Sequence, residues 1–581
     1  MAYKPLDSSD VAAKTLDSFK RLYNVKTSDA LLLGSSTITN EMKCIGTFVD
    51  LDRVKKKDRI DGLIELLRIP RASTFSIHTI LETINERSQY HTQRQFEDTT
   101  SMVKRSLALA FSDDTIAEKI SETLILVVYF VVFERLQQLE YALPAVIGEY
   151  LNKVLLTTEV GSFYTALPDL KTGNNLELMG QYGLLELSSI FESLIGICNQ
   201  SFDASADPKI VAKIMASVIS RCLEIPQEIE PNSDDFQVHT TLVPILDYSN
   251  HDNQRMNAHF DIDRRTDEVL LLLDIEKCPS KNGTCEVFIS YNPIHELVQF
   301  EKIYGFSPPL ESQTPSYMNC CIDKTFLARN MHLDLFYKWF DIKPCIQFCI
   351  LDGAVYINDC IESFKWLTLP FSTQGFPTQS PAKFLYDENV PRVFAQHFSK
   401  ARGGDAKDFI DVCEEQVELS EKNGSESIGM PQLAWVLQYT LDGETLHGRF
   451  DRKQIPELPG YNSTLARESF QAYLLTYFQW RQHQLQDKLA YLSSSLQNVA
   501  IHELHFITQL LRQNDENKSL LLSDTKLDYK KFQTPPIPPL LQNSNHQFSK
   551  PVTQENTNAQ ESFSLTDPQA EYQYYEDFFS P

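Results

Sequence analysis

The chain has 581 residues, 42% of them hydrophobic and 23% charged, which is enough to bury a large core across two or three domains. Its 78 acidic side chains outnumber 53 basic ones, and the formal net charge of −25 disfavours nonspecific binding to nucleic acid or to an anionic membrane surface and suits a basic protein partner. The 11 cysteines are scattered, and neither Cys320-Cys321 nor Cys345 and Cys349 has partners at metal-ligand spacing, so they read as reduced thiols with no metal site.

At the N-terminus, MAYKPLDSSDV has no apolar signal core and no Arg-rich transit character, and the expected compartment is the cytoplasm. Residues 12–30 carry Ala12, Leu16, Phe19, Leu22 and Tyr23 at helical spacing. Short apolar runs at Leu31–Leu33, Cys44–Val49 and Leu63–Ile69 predict strands, with Lys55-Lys56-Lys57 in a solvated loop between them. From Phe75 to about Glu230 the pattern is helical, with loops near Asp113-Asp114, Leu167-Pro168 and Asp203–Asp207. Within it Leu124–Phe133 is too short to span a bilayer and predicts a buried helix. Strands resume at Leu242–Leu246, Ala258–Ile262, Val269–Asp274 and Glu286–Tyr291. A β-rich unit is therefore split by a long helical insertion.

From Met318 to Gln513 the chain reads as mainly helical, with loops at Gly403-Gly404 and Glu421–Gly424. Phe470, Tyr473, Leu474, Tyr477, Phe478, Leu485, Leu489 and Leu492 form a stripe that reads as core packing. After about Asn514 the composition turns to Pro, Gln, Asn and Ser, including Pro535-Pro536-Ile537-Pro538-Pro539, and predicts a disordered tail. No P-loop, H-E-x-x-H or G-x-S-x-G occurs, and basic patches interleaved with aromatics are absent.

The most specific stretch is Thr241–Pro309. It has TLVPILDYSNHD with Asn250-His251, then GTCEVFISYN ending near Tyr291, then a helix-like segment closing on Tyr304-Gly305-Phe306. This order of parts resembles the C-terminal half of a SET domain. It is most similar to the subgroup that methylates non-histone proteins, typified by the Rubisco large-subunit methyltransferase. Two further segments join the resemblance: Ser220-Arg221, and Cys44-Ile45-Gly46-Thr47-Phe48-Val49, where the usual G-x-G has Cys44 in place of its first glycine.

The resemblance implies an α+β fold: a split SET domain over 12–310 with a helical insertion at about 75–235, a mainly helical substrate-binding-like domain over 311–513, and the tail over 514–581. It implies an S-adenosylmethionine-dependent protein-lysine N-methyltransferase. Tyr304 would lie beside the transferred methyl group and Tyr291 would frame the lysine channel. Asn250, His251, Arg221, Gly46 and Tyr304 would contact the cofactor, with no metal. Phe306 would be channel wall or core, and Asp247 could instead cap the turn before Asn250. Fungal members of the subgroup act on ribosomal proteins, an elongation factor or cytochrome c. A protein of the translation machinery is the first expectation, with cytochrome c also open. The rival readings are a non-catalytic SET scaffold that binds a protein partner, which Cys44 favours, and methylation of another side chain such as histidine.

The chemistry suits these residue types. Methyl transfer to an amine is a direct displacement that needs alignment and a neutral nucleophile. A lysine amine, with a reference pKa near ~10.4, gains from a desolvated channel that favours the uncharged form. Tyrosine hydroxyls orient an amine without adding charge.

Overall fold

Strands from the two ends of the first 310 residues pair with one another across the helical insertion. The computed structural model describes residues 4–5, 11–37, 43–55, 59–60, 62–169, 173–202, 205–228, 236–280, 282–308, 315–327, 329, 345–351, 354–358, 382–383, 435–441, 444–450, 463–517 and 522–523. The loops expected at 403–404 and 421–424, the PPIPP segment and nearly all of the tail lie outside the described residues.

Helix α1 (Val11–Leu22) is shorter than the 12–30 pattern suggests, because Asn24 takes a left-handed conformation (φ 51°) that ends the run. Phe19 and Tyr23 are fully buried from it. The next strands follow the expected runs: β1 (Leu31–Thr37), β2 (Lys43–Asp50) and β3 (Leu63–Pro70). β1 and β2 form an antiparallel pair in which Gly46 stands opposite Gly34 and Cys44 opposite Ser36.

The insertion contains α2 (Ile77–Asn85), α3 (Gln93–Ser112), α4 (Glu122–Gln138), α5 (Glu186–Phe202) and α6 (Pro208–Ile219). Capping boxes at Ser76/Thr79 and Thr92/Gln95 start α2 and α3. Every residue from Leu124 to Leu136 is buried, so α4 is the core helix around which α3, α5 and α6 pack. Asp113, expected in a loop, caps the short helix Asp114–Glu118.

The helices end at Ile219, short of the expected boundary. A hairpin follows, β4 (Cys222–Glu228) with β5 (Phe236–Leu242). The strand expected at Leu242–Leu246 lies upstream because Val243–Ile245 forms a tight turn. Ile245 has φ 73°, a strained conformation for a β-branched residue. Asn250–His251 (β6) therefore does not continue an apolar strand. It is a two-residue strand of its own, paired in parallel with β10 (Phe288–Ile289).

The remaining pairings join the halves. β7 (Ala258–Asp263) lies beside β8 (Glu268–Leu273), and β8 pairs with β3, bringing Val269 opposite Ile69. β9 (Thr284–Glu286) lies along β2, with Glu286 opposite Phe48. Arg68 spans the same seam, with Nη1 2.7 Å from Asp263 and 2.8 Å from Glu268, and Nη2 2.7 Å from Glu65. This is the split β unit expected from the pattern.

α7 (Leu297–Tyr304) is followed by an antiparallel sheet, β11 (Ser316–Cys321), β12 (Cys345–Leu351) and β13 (Ala354–Asn358). The helical reading of this part holds for α8 (Ser463–Lys488) and α9 (Ser494–Asn517), which are long and packed together; the sheet is an addition that helical periodicity could not reveal. The predicted stripe on α8 is core: Tyr473, Leu474, Tyr477, Phe478 and Leu485 are buried. Phe348 of β12 stacks against Phe506 of α9 at 5.4 Å and meets Phe478 of α8 at 5.7 Å. No helix among the described residues is long and apolar enough to cross a membrane.

Candidate active site

The turn between β5 and β6 collects the predicted residues. Arg221 follows the end of α6 and is nine-tenths buried. Its Nη1 donates to the Asp247 carbonyl (2.8 Å) and its Nη2 to Thr158 Oγ1 (3.0 Å), while the guanidinium lies 5.0 Å over the Tyr248 ring. Nε has no partner among the described residues. Asp247 lies within the 246–248 turn, with the backbone N–H groups of Ile245 and Asp247 itself facing its side chain. Its buried carboxylate accepts from Tyr150 Oη at 2.5 Å and lies 3.6 Å from Arg221. Burial pushes that carboxyl up, and Arg221 opposes the push.

Tyr291 and Tyr304 come together from separate elements, with ring centroids 4.7 Å apart. Tyr291 donates its hydroxyl to the Ser249 carbonyl at 2.9 Å. Tyr304 is the last residue of α7, and its hydroxyl has no hydrogen-bond partner among the described residues. Burial pushes both phenols up, so both stay protonated at neutral pH. Phe300 and Phe306 pack on Tyr304, at 5.3 Å and 6.1 Å between centroids, which makes Phe306 part of the aromatic wall.

His251 orients this cluster. Its Nδ1 accepts the Tyr291 backbone N–H (2.9 Å), so in the neutral ring Nε2 carries the hydrogen and faces His295 Nε2 at 3.0 Å. Burial and the neighbouring His295 lower His251 to about 3, and burial lowers His295 to about 4, so both rings are neutral at physiological pH. His295 and Asn253, which also reaches His295 Nε2 (3.0 Å), had no motif to mark them in the sequence.

Gly305 explains the Y-G-F spacing. It takes φ 74° to end α7, and a Cβ there would stand 2.5 Å from the Gly161 carbonyl carbon and 2.6 Å from Ser162 N. Gly305→Ala is expected to combine a left-handed strain with a backbone clash and to lower the unfolding free energy by about 2–4 kcal/mol. Chemical denaturation checks this; a loss below about 1 kcal/mol would show that the insertion loop yields to the methyl group.

Gly46 is constrained by space. A Cβ would meet Asn250 Nδ2 at 2.7 Å and Glu286 Oε1 at 2.8 Å. Asn250 Nδ2 donates to Glu286 Oε1 (2.9 Å), which also accepts from Ser36 Oγ (2.5 Å). Cys44 does not leave a defect where a glycine was expected. Burial raises its thiol to about 11, so it remains protonated, and Sγ lies 3.7 Å from Asn250 Oδ1 as a weak donor. Ser36 and Glu286 are site residues that the sequence reading missed.

Residues 13–555 match the family described as cytochrome c lysine N-methyltransferase 1. The chain belongs to that family. Three curated relatives carry the same name. The one from Saccharomyces cerevisiae is 27% identical, with 88% of this chain and 90% of the relative covered. The one from Kluyveromyces lactis is 33% identical over 62% of this chain and 70% of the relative. The one from Eremothecium gossypii is 32% identical over 56% and 67%. The family member is thus a protein-lysine N-methyltransferase, in agreement with the SET resemblance, and the non-catalytic scaffold reading falls away.

Proposed function

We propose that this enzyme methylates a lysine of cytochrome c, with S-adenosylmethionine as methyl donor, and acts in the cytoplasm. The family and its relatives' names favour cytochrome c over the translation machinery. The net charge of −25 suits a basic substrate. The observation that carries the catalytic reading is the pairing of Tyr291 with a Tyr304 whose hydroxyl is unpartnered among the described residues, beside the Asn250-His251 turn.

The residues fit the cofactor. The missing Cβ of Gly46 lets Asn250 and Glu286 close onto its strand, and buried Arg221 keeps a spare N–H suited to a carboxylate. Asn250, His251, Arg221, Gly46 and Tyr304 are the residues proposed to hold it. When bound, S-adenosylmethionine supplies a methyl group activated on a sulfonium.

The protein's own task is to present a neutral amine. The aromatic wall of Tyr291, Tyr304, Phe300 and Phe306 excludes water and disfavours an ammonium. A protonated Tyr304 oxygen accepts one amine N–H and leaves the nitrogen lone pair free to attack, while Tyr291, tied to Ser249, fixes the opposite wall.

Intact-mass analysis of cytochrome c incubated with the purified enzyme and S-adenosylmethionine is expected to show added methyl groups on lysine. Unchanged cytochrome c, alongside methylation of a ribosomal protein or elongation factor, would overturn the substrate assignment.

A further inference from the structure

Glu286 lies beside Gly46 but has no role in the mechanism above. Its Oε1 is engaged by two neutral donors, Ser36 Oγ and Asn250 Nδ2. Its Oε2 has no partner, and no Lys or Arg pairs with it, among the described residues. The Asn250 amide is held in one orientation, since a flip would turn its oxygen toward the carboxylate and its nitrogen toward the Cys44 thiol. Glu286 is thus a preoriented carboxylate, set over Gly46 where any side chain would meet it.

A complementary charge lies in the same neighbourhood. Arg221, nine-tenths buried, keeps Nε without a partner among the described residues. The Cys44 thiol experiences both charges, Glu286 raising its pKa and Arg221 lowering it. The neighbourhood therefore holds the preoriented Glu286 carboxylate and the Arg221 guanidinium, which Asp247 flanks at 3.6 Å but whose Nε stays free among the described residues. That matches a ligand carrying an ammonium and a carboxylate on one carbon, as the amino-acid end of the proposed cofactor does. An acceptor-only carboxylate and an ammonium, which only donates, form a charge-assisted hydrogen bond.

We propose that Glu286 is the contact for the α-ammonium of the cofactor, an inference that rests on the S-adenosylmethionine reading above. Ser36 and Asn250 act as positioning residues for this carboxylate, and Arg221 receives the cofactor carboxylate on the other side.

The test compares two ligands by calorimetry: S-adenosylhomocysteine, and its analogue with hydrogen in place of the α-amino group. Wild-type protein is expected to prefer S-adenosylhomocysteine by about tenfold or more, and E286Q to bring the two within about twofold. Ser36→Ala removes one of the two donors that hold Oε1 and should reduce the preference without abolishing it. E286D gives an independent arm that keeps the charge but draws it back. It should weaken S-adenosylhomocysteine and leave the deamino analogue unaffected. A full preference retained in E286Q, equal losses for both ligands in E286D, or no preference in wild type would overturn the role of Glu286. Absence of S-adenosylhomocysteine binding to wild type would instead overturn the cofactor reading itself.

Discussion

Tyr304→Phe is expected to cut single-turnover methylation by roughly tenfold to a hundredfold while leaving affinity for S-adenosylhomocysteine nearly unchanged. The substitution removes one hydroxyl and keeps the ring, so the contacts to Tyr291, Phe300 and Phe306 survive. Because that hydroxyl bonds nothing among the described residues, the folded enzyme loses no internal hydrogen bond there. What it loses is the acceptor that holds the amine in line, an interaction of about 1–3 kcal/mol that matters in the transition state. Tyr291→Phe should behave differently. Its hydroxyl anchors the Ser249 carbonyl one residue before Asn250, so its removal loosens the Asn250-His251 turn and weakens cofactor binding as well as turnover. Wild-type turnover in Tyr304→Phe would remove this residue from the mechanism; equal losses of affinity and turnover in both variants would assign Tyr304 to packing.

The sequence carried the site better than it carried the path of the chain into it. Asn250-His251 and Tyr304-Gly305-Phe306 were legible because their order is specific, and Gly305 suits its place for two separate reasons, conformation and close approach. The Val243–Ile245 stretch misled. Three apolar-rich residues suggest a strand, but Pro244 lacks an N–H and Ile245 is forced to positive φ, so the ladder ends at Leu242. Glu286 and Ser36 were invisible because a carboxylate and a hydroxyl on strands signal nothing until β1 and β9 pair with β2 and bring them over Gly46. The strands β11 to β13 escaped notice because their runs are short and partly polar, and sheet pairing depends on partners remote in sequence. The aromatic stripe of α8 succeeded for the opposite reason: helical periodicity is local and needs no partner to be read.

The same stripe leads to the largest stability effect, expected for Glu503→Gln. Arg481 projects from α8 into the core, only 1% exposed, and its Nε and Nη2 donate to Glu503 Oε1 and Oε2, each at 2.8 Å. Tyr182 of the insertion also donates to Glu503 (2.7 Å), and Asp323, just past β11, lies 3.6 Å from the guanidinium. One carboxylate thus ties α9 to α8 and to the insertion. A glutamine in its place would keep the shape but leave a buried guanidinium facing a neutral amide, with Asp323 too far to replace a bidentate pair. Breaking such a pair from one side costs about 3–5 kcal/mol, because the surviving charge remains desolvated. Replacing both partners, as in Arg481→Met with Glu503→Leu, should cost much less than the sum of the single changes. Equilibrium denaturation of the two single variants and the double variant measures the coupling. Additive losses would show that Arg481 and Glu503 contribute independently and that their ion pair is not what ties α8 to α9.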